Sequence, residues 1–402
     1  MSLFYLILLI KNNYKYCKLK RKGGFITLKK WKVIKKQGYN IILNEGGQNI
    51  AYSPDSGIKI IEEDGYAFKN LSKSGQLEKY EDWRLPVEER AKDLASKMSI
   101  EQIAGLMLYS AHQSISTNDD FFSKAFAGTY NGKKLEESDA KITDLTDQQK
   151  NFLLNDNLRH VLITVVNDAH TAALWNNNIQ AFVEKLGFGI PVNISSDPRH
   201  GASADTEFNA GAGGDISKWP EPLGLAATFD SELVRKFGHI ASKEYRALGI
   251  STALSPQVDI ATEPRWMRFN GTLGEDPILS KDLGEAYCDG FQTSYDDSEI
   301  NDGWGYNSVN AMVKHWPGGG SGESGRDAHY AYGKFAVYPG DNFDEHLIPF
   351  TEGAFKLKGK TKKASAVMPY YTISYNQDKK NGENVGNSYN KYIISDLLRD
   401  KY

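Results

Sequence analysis

Beyond Pro86, short apolar runs alternate with segments of helical periodicity, and no other feature constrains the fold of this chain as strongly. Pro86 and a capping box that begins at Ser99 each start a helix before the first of the later strands. Alternation of this kind is typical of a parallel sheet covered by helices. Strands are expected at 106–109, 160–166, 190–195, 251–254, 310–314 and 364–368, and helices at 147–156, 171–186, 230–248, 277–295, 345–357 and 391–402.

Within the α/β class, a (β/α)8 TIM-type barrel is the fold that the sequence favours. No Gly-x-Gly-x-x-Gly joins an expected strand to an expected helix that it opens, and no phosphate-binding loop is present, which argues against a nucleotide-binding sheet. A chain of 402 residues can hold one large barrel with extra segments, although two or three small domains would also fit. In such barrels the functional residues stand at the carboxyl ends of the strands.

The residues before the barrel divide into two segments. Residues 1–38 form a basic leader that we expect to be disordered, and residues 39–80 form a small β-rich N-terminal appendage with turn signals between its strands. The barrel is expected to occupy 81–402. The apolar run at 3–10 lacks a basic region ahead of it and is too short to span a bilayer. A cytoplasmic location is therefore favoured, with secretion as the alternative.

The composition argues against several classes of partner and cofactor. The formal net charge of -3 gives no reason to expect nucleic acid or an anionic membrane as a partner. The 2 cysteines and 8 histidines show no metal-ligand spacing, so neither a metal nor another cofactor is expected. The 7 tryptophans and 22 tyrosines make the chain rich in aromatic side chains, which both sugar-binding sites and protein cores use.

Four successive expected strands end in polar side chains. The segment 314–320 (KHWPGGG) is poorly suited to a core, but its cation, imidazole and glycine turn suit a binding site at the mouth of a barrel. Such groups can hold the hydroxyls of a neutral polyol through charge-assisted hydrogen bonds. A surface ion pair or a helix cap is the alternative for each residue taken singly. The residues at these strand ends are Asp197, Arg268, Lys314, His315 and Tyr371.

Several stretches occur in an order that identifies a family, at 195–201, 220–228, 254–277, 314–318 and 367–371. In them the sequence resembles glycoside hydrolase family 3, the β-glucosidase family. The resemblance implies an exo-acting retaining β-glycosidase that hydrolyses terminal non-reducing sugars from a small-molecule or oligosaccharide β-glycoside. It also implies that the mouth of the N-terminal barrel holds one terminal sugar.

The resemblance assigns substrate-binding roles to four of the strand-end residues. Asp197 is expected to bind two hydroxyls of the terminal sugar, with Arg268 beside it. Lys314 and His315 are expected to hold further hydroxyls of the same sugar. The resemblance thus implies that these residues form the part of the barrel mouth that binds the terminal sugar.

The same resemblance places other residues around this mouth. Tyr371 is expected next to the catalytic centre, and Met368 belongs to the same Met-x-x-Tyr segment and to the substrate-binding set. Asp259 is expected to be structural, and Asp276 is expected to brace a loop and start a helix.

The resemblance also implies that essential chemistry is missing. Retaining hydrolysis needs two carboxyl groups about 5–5.5 Å apart. In this family the nucleophilic Asp follows the helix after the Met-x-x-Tyr segment, and the usual acid/base comes from a second domain. Here that helix is 391–402, so we expect a barrel that is incomplete at its C-terminus. The chain alone is predicted to be inactive, and its expected partner is a C-terminal half encoded downstream.

Two alternatives remain open. Asp327 and His329 resemble the Asp-x-His of the β-N-acetylglucosaminidase branch, in which the His is the acid/base. A neighbouring carboxylate raises the basicity of an imidazole, but the same pair could simply order the rim of the barrel. The second alternative is a non-catalytic sugar-binding fragment.

Overall fold

The computed structural model of the chain describes residues 19–21, 24–26, 28–111, 128–163, 166, 168–202, 215–294 and 303–402. The chain falls into two compact units. The smaller one extends to Lys97 and includes Gly187–Gly189, and the larger one comprises Met98–Leu186 and Ile190–Tyr402. In the described part of the chain, no helix is both long and apolar enough to cross a membrane.

The smaller unit is built from antiparallel strands and a helix. Strands β1 and β2 pair with each other, β3, β4 and β5 form a sheet in that order, and β6 pairs with β7. Strands β4 to β7 confirm the β-rich character expected of 39–80. The elements are β1 (Leu19–Arg21), β2 (Gly24–Ile26), β3 (Trp31–Lys35), β4 (Asn40–Asn44), β5 (Ile50–Tyr52), β6 (Lys59–Glu63), β7 (Tyr66–Asn70) and helix α1 (Val87–Lys97).

Two findings in the smaller unit differ from the sequence analysis. The expectation of a disordered leader over 1–38 is wrong for β3, which pairs with β4 along its whole length, while Trp31 Nε1 donates to Glu62 Oε2 at 3.0 Å. The boundary between the units lies after α1 rather than at residue 80. The reason is that Arg90 Nε, in α1, donates to the carbonyl of Tyr80 at 3.1 Å. This hydrogen bond joins α1 to the smaller unit, which contains the antiparallel strands.

In the larger unit, the described residues form a parallel sheet of six strands whose spatial order is their order in the chain. All the pairings are parallel, so the carboxyl ends of the strands lie along one edge of the sheet. This sequential parallel sheet is the arrangement expected of a (β/α)8-type barrel. Its strands are β8 (Tyr109–Ala111), β9 (His160–Leu162), β10 (Asn193–Ser196), β11 (Thr252–Ala253), β12 (Asn310–Trp316) and β14 (Ala366–Pro369).

Helices follow the strands of this sheet, and local capping starts several of them. Asp230 Oδ1 accepts from the Glu232 and Leu233 amides, and Asp276 Oδ1 accepts from the Leu279 amide at 2.7 Å, which confirms Asp276 as a helix start. The helices are α2 (Ile100–Leu106), α3 (Asp147–Leu154), α4 (Ala169–Glu184), α5 (Pro222–Ala226), α6 (Ser231–Ala247), α7 (Pro277–Gln292), α8 (Phe343–Ile348) and α9 (Tyr392–Arg399).

Some predicted elements have different bounds in the structure. The strand expected at 106–109 begins only at Tyr109, because helix α2 continues to Leu106 and the Met107 amide closes its last turn on Ala104. After α8 the backbone widens into π-type turns over Pro349–Ala354, where Pro349 has no amide hydrogen to donate. Between β8 and α3, residues 112–127 lie outside the described residues.

A short parallel pair was not expected from the sequence. Strand β13 (Phe335–Ala336) pairs with β15 (Ile373–Ser374), which places the loop before β13 and the loop before β15 at one end of the pair. The Ile373 amide donates to the carbonyl of Lys334 at 2.7 Å and extends the ladder.

Helices α6 and α7 approach each other closely because glycines face each other at their contact. The Cα atom of Gly238 would lie 3.1 Å from a Cβ atom added to Gly290, and the Arg235 carbonyl would collide with that atom. Backbone atoms cannot move aside as a flexible side chain can, so this contact requires glycine.

We predict that Gly290→Ala lowers the free energy of unfolding by about 1–3 kcal/mol, because the added methyl group overpacks the α6–α7 contact. Gly340→Ala is the matched control, since the nearest atom to its added Cβ would be 3.9 Å away. That control should change stability by less than about 0.5 kcal/mol. Urea unfolding followed by circular dichroism measures both, and equal stabilities would contradict the prediction.

A buried histidine packs behind the glycine turn that ends β12. His346 is fully buried, and its two ring nitrogens have no hydrogen-bond partner in the described part of the chain. The ring makes a T-shaped contact with Tyr338, with centroids 5.1 Å apart. Burial lowers the pKa of His346 to about 4, although the charge of Asp259 acts in the opposite direction. The side chain is therefore neutral at pH 7.

We predict that His346→Leu flattens the loss of stability in acid. The folded-state pKa lies below the ordinary value, so the unfolded chain takes up the proton first as the pH falls. This one site therefore removes about 3 kcal/mol of stability between roughly pH 6.5 and pH 4. Urea unfolding at several pH values tests this. Parallel stability curves for the wild type and the variant would show that the site does not contribute.

Candidate functional site

An ion pair joins the carboxyl ends of two strands of the parallel sheet. Lys314 Nζ, in β12, donates to Asp197 Oδ1, just after β10, at 3.0 Å. Lys314 is 4% exposed and the Asp197 side chain 23% exposed, so the carboxylate is the member that solvent or a ligand can reach. Burial would raise the pKa of Asp197, but Lys314, Arg268 and Arg199 together hold it below its ordinary value. The carboxylate is thus ionised at neutral pH.

A second layer of contacts fixes the backbone around Asp197. Arg199 is buried, and its guanidinium donates to Ser196 Oγ at 2.7 Å and to the carbonyl of Ile163 at 2.8 Å. The Tyr245 hydroxyl donates to the carbonyl of Asp197 at 2.7 Å. The carboxylate therefore extends from a loop that is held on both sides.

His315 is held by a fully buried carboxylate. Asp259 Oδ2 accepts from His315 Nδ1 at 2.7 Å, and Asp259 Oδ1 accepts from the amides of His315 at 3.0 Å and Gly319 at 2.6 Å. Burial would raise the pKa of Asp259, but these partners hold it below its ordinary value. Asp259 thus has the structural place that the sequence analysis expected.

The protonation of His315 follows from its two neighbours. Burial lowers the pKa of His315 to about 4, against the raising effect of Asp259. The Nε2 atom lies 3.3 Å from Arg268 Nη1, a donor, and Nδ1 faces the carboxylate of Asp259. A neutral imidazole with its proton on Nδ1 satisfies both contacts. His315 therefore links Arg268 to the buried carboxylate of Asp259.

The segment after β14 places its residues differently. Met368 lies half-buried in β14, opposite Lys314 in the register. Tyr370 is buried, with its ring 4.7 Å from the ring of His315. Tyr371, the residue predicted from the sequence, is 64% exposed, and its ring makes a T-shaped contact with the ring of His329, with centroids 5.2 Å apart. Tyr370 thus supports the site from within, and Tyr371 stands at its surface.

Asp327 and His329 form a hydrogen-bonded pair. Asp327 Oδ1 accepts from His329 Nδ1 at 2.5 Å, and Oδ2 accepts from Trp266 Nε1 at 2.6 Å and from the Tyr370 hydroxyl at 3.2 Å. Burial would raise the pKa of Asp327, but these hydrogen bonds hold it well below its ordinary range. Asp327 is 3% exposed and the His329 side chain 30% exposed. The carboxylate is an anchor, and the imidazole faces outwards.

Three aromatic residues of the site were not identified from the sequence. Trp266 and Tyr370 connect Asp327 to the His315 cluster, and Tyr109, at the start of β8, donates to or accepts from Ser195 Oγ at 2.5 Å. Burial raises the pKa of Tyr109 to about 12, and the charges of Asp197 and Tyr371 act in the same direction. The one available signal was the position of each residue at a strand end or beside a charged motif.

The described residues contain no group of three or more His, Cys, Asp or Glu side chains that could hold a metal ion. The site combines a carboxylate, an ammonium, a guanidinium and hydroxyl-bearing aromatic rings within reach of one another. Such a set can form directed hydrogen bonds to the hydroxyls of a neutral ligand.

Comparisons with known proteins agree with this architecture. Residues 131–402 match the Glycosyl hydrolase family 3 N terminal domain. The periplasmic beta-glucosidase/beta-xylosidase of Dickeya chrysanthemi is 40% identical over 349 residues, which cover 86% of this chain and 48% of that protein. Beta-glucosidase C of Emericella nidulans is 40% identical over 317 residues, covering 78% of this chain and 44% of that protein. The chain thus spans about half the length of these relatives.

Solved structures share the fold. The Listeria innocua beta-glucosidase in complex with isofagomine has a TM-score of 0.52 at 23% identity, covering 78% of this chain and 35% of that one. A family 3 beta-N-acetylglucosaminidase from Paenibacillus sp. str. FPU-7 has a TM-score of 0.56 at 20% identity, covering 75% of this chain and 47% of that one. Because the family's N-terminal domain matches well over half of the sequence, this chain belongs to glycosyl hydrolase family 3.

Proposed function

We propose that this chain is the sugar-binding part of the barrel of an exo-acting retaining β-glycosidase of the β-glucosidase type. The observation that carries the proposal is the Asp197–Lys314 ion pair at the carboxyl ends of β10 and β12. The names of the relatives from Dickeya and Emericella, which are beta-glucosidases, support the same class of substrate.

The geometry suits the hydroxyls of one terminal sugar ring. Asp197 offers carboxylate oxygens as acceptors, while Lys314 and Arg268 offer donors beside it. Hydrogen bonds to charged partners are stronger than neutral ones, so a neutral sugar can compete with water for these groups. The neutral His315 ring, fixed by Asp259, completes the polar wall without adding a net charge.

The carboxylates of the site are already engaged. Asp259 is fully buried against His315, Asp327 is held by Trp266, and Asp197 pairs with Lys314. A retaining mechanism needs a nucleophilic carboxylate and a second carboxyl group as acid/base. These contacts support the proposal that the described residues bind substrate, and that a further part of the protein, such as a C-terminal half encoded downstream, supplies the attacking groups. A non-catalytic sugar-binding role is compatible with the same contacts.

One observation favours a second candidate, a β-N-acetylglucosaminidase-type enzyme. His329 is held at 2.5 Å by the buried Asp327, while its side chain stays 30% exposed beside Tyr371. A carboxylate that accepts a hydrogen bond from one ring nitrogen fixes the tautomer of an imidazole and orients its other nitrogen for proton transfer. In this candidate His329 is the acid/base and Asp327 orients it.

We predict that Asp197→Asn weakens binding of D-glucose by the full chain by at least about tenfold, because the loss of the charge weakens hydrogen bonds to the sugar and leaves Lys314 unpaired. Calorimetric titration measures the affinity. Asp341→Asn is the matched control, since Asp341 is exposed and its positive φ of 53° is one that Asn also tolerates. Equal affinities for the wild type and Asp197→Asn would show that the sugar does not bind at this carboxylate.

We predict that the purified 402-residue chain does not hydrolyse 4-nitrophenyl β-D-glucoside or 4-nitrophenyl N-acetyl-β-D-glucosaminide, because Asp259 and Asp327 are buried against their partners and Asp197 binds hydroxyls of the sugar in this proposal. Release of 4-nitrophenol provides the measurement. Turnover that His329→Ala abolishes and Asp197→Asn merely reduces would replace the first candidate by the Asp–His enzyme. Turnover that His329→Ala leaves intact would place an attacking carboxylate among the residues of this chain.

A further inference from the structure

The segment that carries Asp197 rests on helix α6 once it has left the sheet. The Leu254 amide donates to the carbonyl of Ser196 at 2.9 Å and continues the ladder between β10 and β11. One residue later, the carbonyl of Asp197 accepts from the hydroxyl of Tyr245, which belongs to α6. Pro198 comes next and has no amide hydrogen to donate to a ladder. The helix layer therefore helps to set the position of Asp197.

His200, at the other end of this segment, is held by the same helix. Its Nε2 atom lies 2.7 Å from Oε2 of Glu244, the residue before Tyr245. The His200 ring packs on Tyr245, with centroids 5.2 Å apart, and makes a T-shaped contact with Phe237. Burial lowers the pKa of His200 and Arg199 acts in the same direction, against the raising effect of Glu244. The neutral ring therefore donates its Nε2 proton to Glu244.

Glu244 also holds a second part of the chain, at Ser217. The Ser217 amide lies 3.2 Å from both carboxylate oxygens of Glu244, and the Ser217 hydroxyl donates to Oε2 at 2.9 Å. The Trp219 amide in turn donates to the carbonyl of His200 at 2.7 Å. One carboxylate thus accepts from His200 and Ser217 together. A neutral amide in its place would offer a single acceptor oxygen, so the contact needs the charged side chain.

A displacement of His200 would be passed on to Asp197. The two residues are the ends of a segment of four, which Tyr245 holds at the first carbonyl and Glu244 holds at the last ring. Pro198 lies within the segment, and its fixed φ makes the segment stiff. The orientation of the Asp197 carboxylate therefore depends on the contact between His200 and Glu244.

We propose that Glu244 and His200 are positioning residues for Asp197, whose carboxylate they orient towards Lys314 and the sugar through the segment that joins Asp197 to His200. The inference rests on the proposed function, because it assumes that Asp197 binds the terminal sugar. It adds the requirement for a charged side chain in helix α6, in addition to the residues at the strand ends.

Calorimetric titration of the full chain with D-glucose tests this role. Glu244→Gln should weaken glucose binding about threefold to tenfold, because the amide cannot accept from His200 and Ser217 at once. His200→Phe fills the same space without a donor and should weaken binding to a similar extent. His200→Gln keeps a donor at similar reach and should restore most of the affinity. Glu232→Gln is the matched control, since Glu232 lies in the same helix with a side chain that is 79% exposed, and it should bind glucose as the wild type does.

A double-mutant cycle separates positioning from a general loss of structure. If Glu244 acts through Asp197, adding Glu244→Gln to Asp197→Asn should weaken glucose binding no further. Weakening by the same factor in both backgrounds overturns the inference. Urea unfolding shows whether each variant is folded under the conditions of the titration. If Glu244→Gln does not fold, His200→Phe takes its place in the cycle, and failure of both variants to fold shows a purely structural role and overturns the inference.

The outcomes distinguish this inference from the proposed function. Glucose binding that depends on Asp197 but is unchanged in Glu244→Gln and His200→Phe overturns the inference alone. Equal weakening in His200→Phe and His200→Gln also overturns it, because the hydrogen bond to Glu244 would then have no part in binding. Failure of the wild-type chain to bind glucose, or binding that Asp197→Asn leaves unchanged, overturns the proposed function together with the inference.

Discussion

The arrangement of the site depends on one fully buried carboxylate. Asp259, beyond the end of β11, accepts hydrogen bonds from the backbone and ring of His315 and from the amide of Gly319, at the end of β12. A buried charge without partners costs several kcal/mol, so the carboxylate keeps these groups together. Removing one of the partners of such a buried carboxylate lowers the free energy of unfolding by about 3–5 kcal/mol. This interaction fixes the glycine turn and the orientation of the His315 ring, which burial keeps neutral, and the ring in turn contacts Arg268.

A second buried carboxylate, Asp327, holds together the residues at the outer border of the site. Asp327 accepts from Trp266, which belongs to the loop that also contains Arg268, and from Tyr370, which follows β14. It also holds His329, next to the loop in which the rings of Tyr330 and Tyr332 stack. Two carboxylates that are too buried to react thus build the surroundings of the one that is accessible, Asp197. The division follows from burial, since only a partly exposed carboxylate can exchange its bonds for those of a ligand.

Much of the fold could be predicted because hydrophobic periodicity and helix-capping residues are local features of the sequence. The order of strands and helices, the cap at Asp276 and the strand-end position of Lys314 all follow from spacing along the chain. Errors occurred at the boundaries of elements, where either a local closing turn or a tertiary contact set the end. Helix α2 persisted to Leu106, and residues 31–35 became a strand because β4 lies beside them. Trp266 and Tyr370 were missed because aromatic residues in loops carry no periodic signal that separates a site from a core.

The sequence by itself determined the α/β alternation and the polar strand ends, because hydrophobic periodicity and strand-terminal motifs are properties of neighbouring residues. It also indicated Asp197, Arg268, Lys314 and His315 as one set, since the carboxyl ends of parallel strands share an edge. Only the tertiary structure decided that Tyr370 is buried while Tyr371 is exposed, because that difference depends on which ring packs on His315. The placement of the segments before Phe335 and Ile373 at one end of a strand pair was likewise decided by the β13–β15 pairing, a contact between segments far apart in the chain.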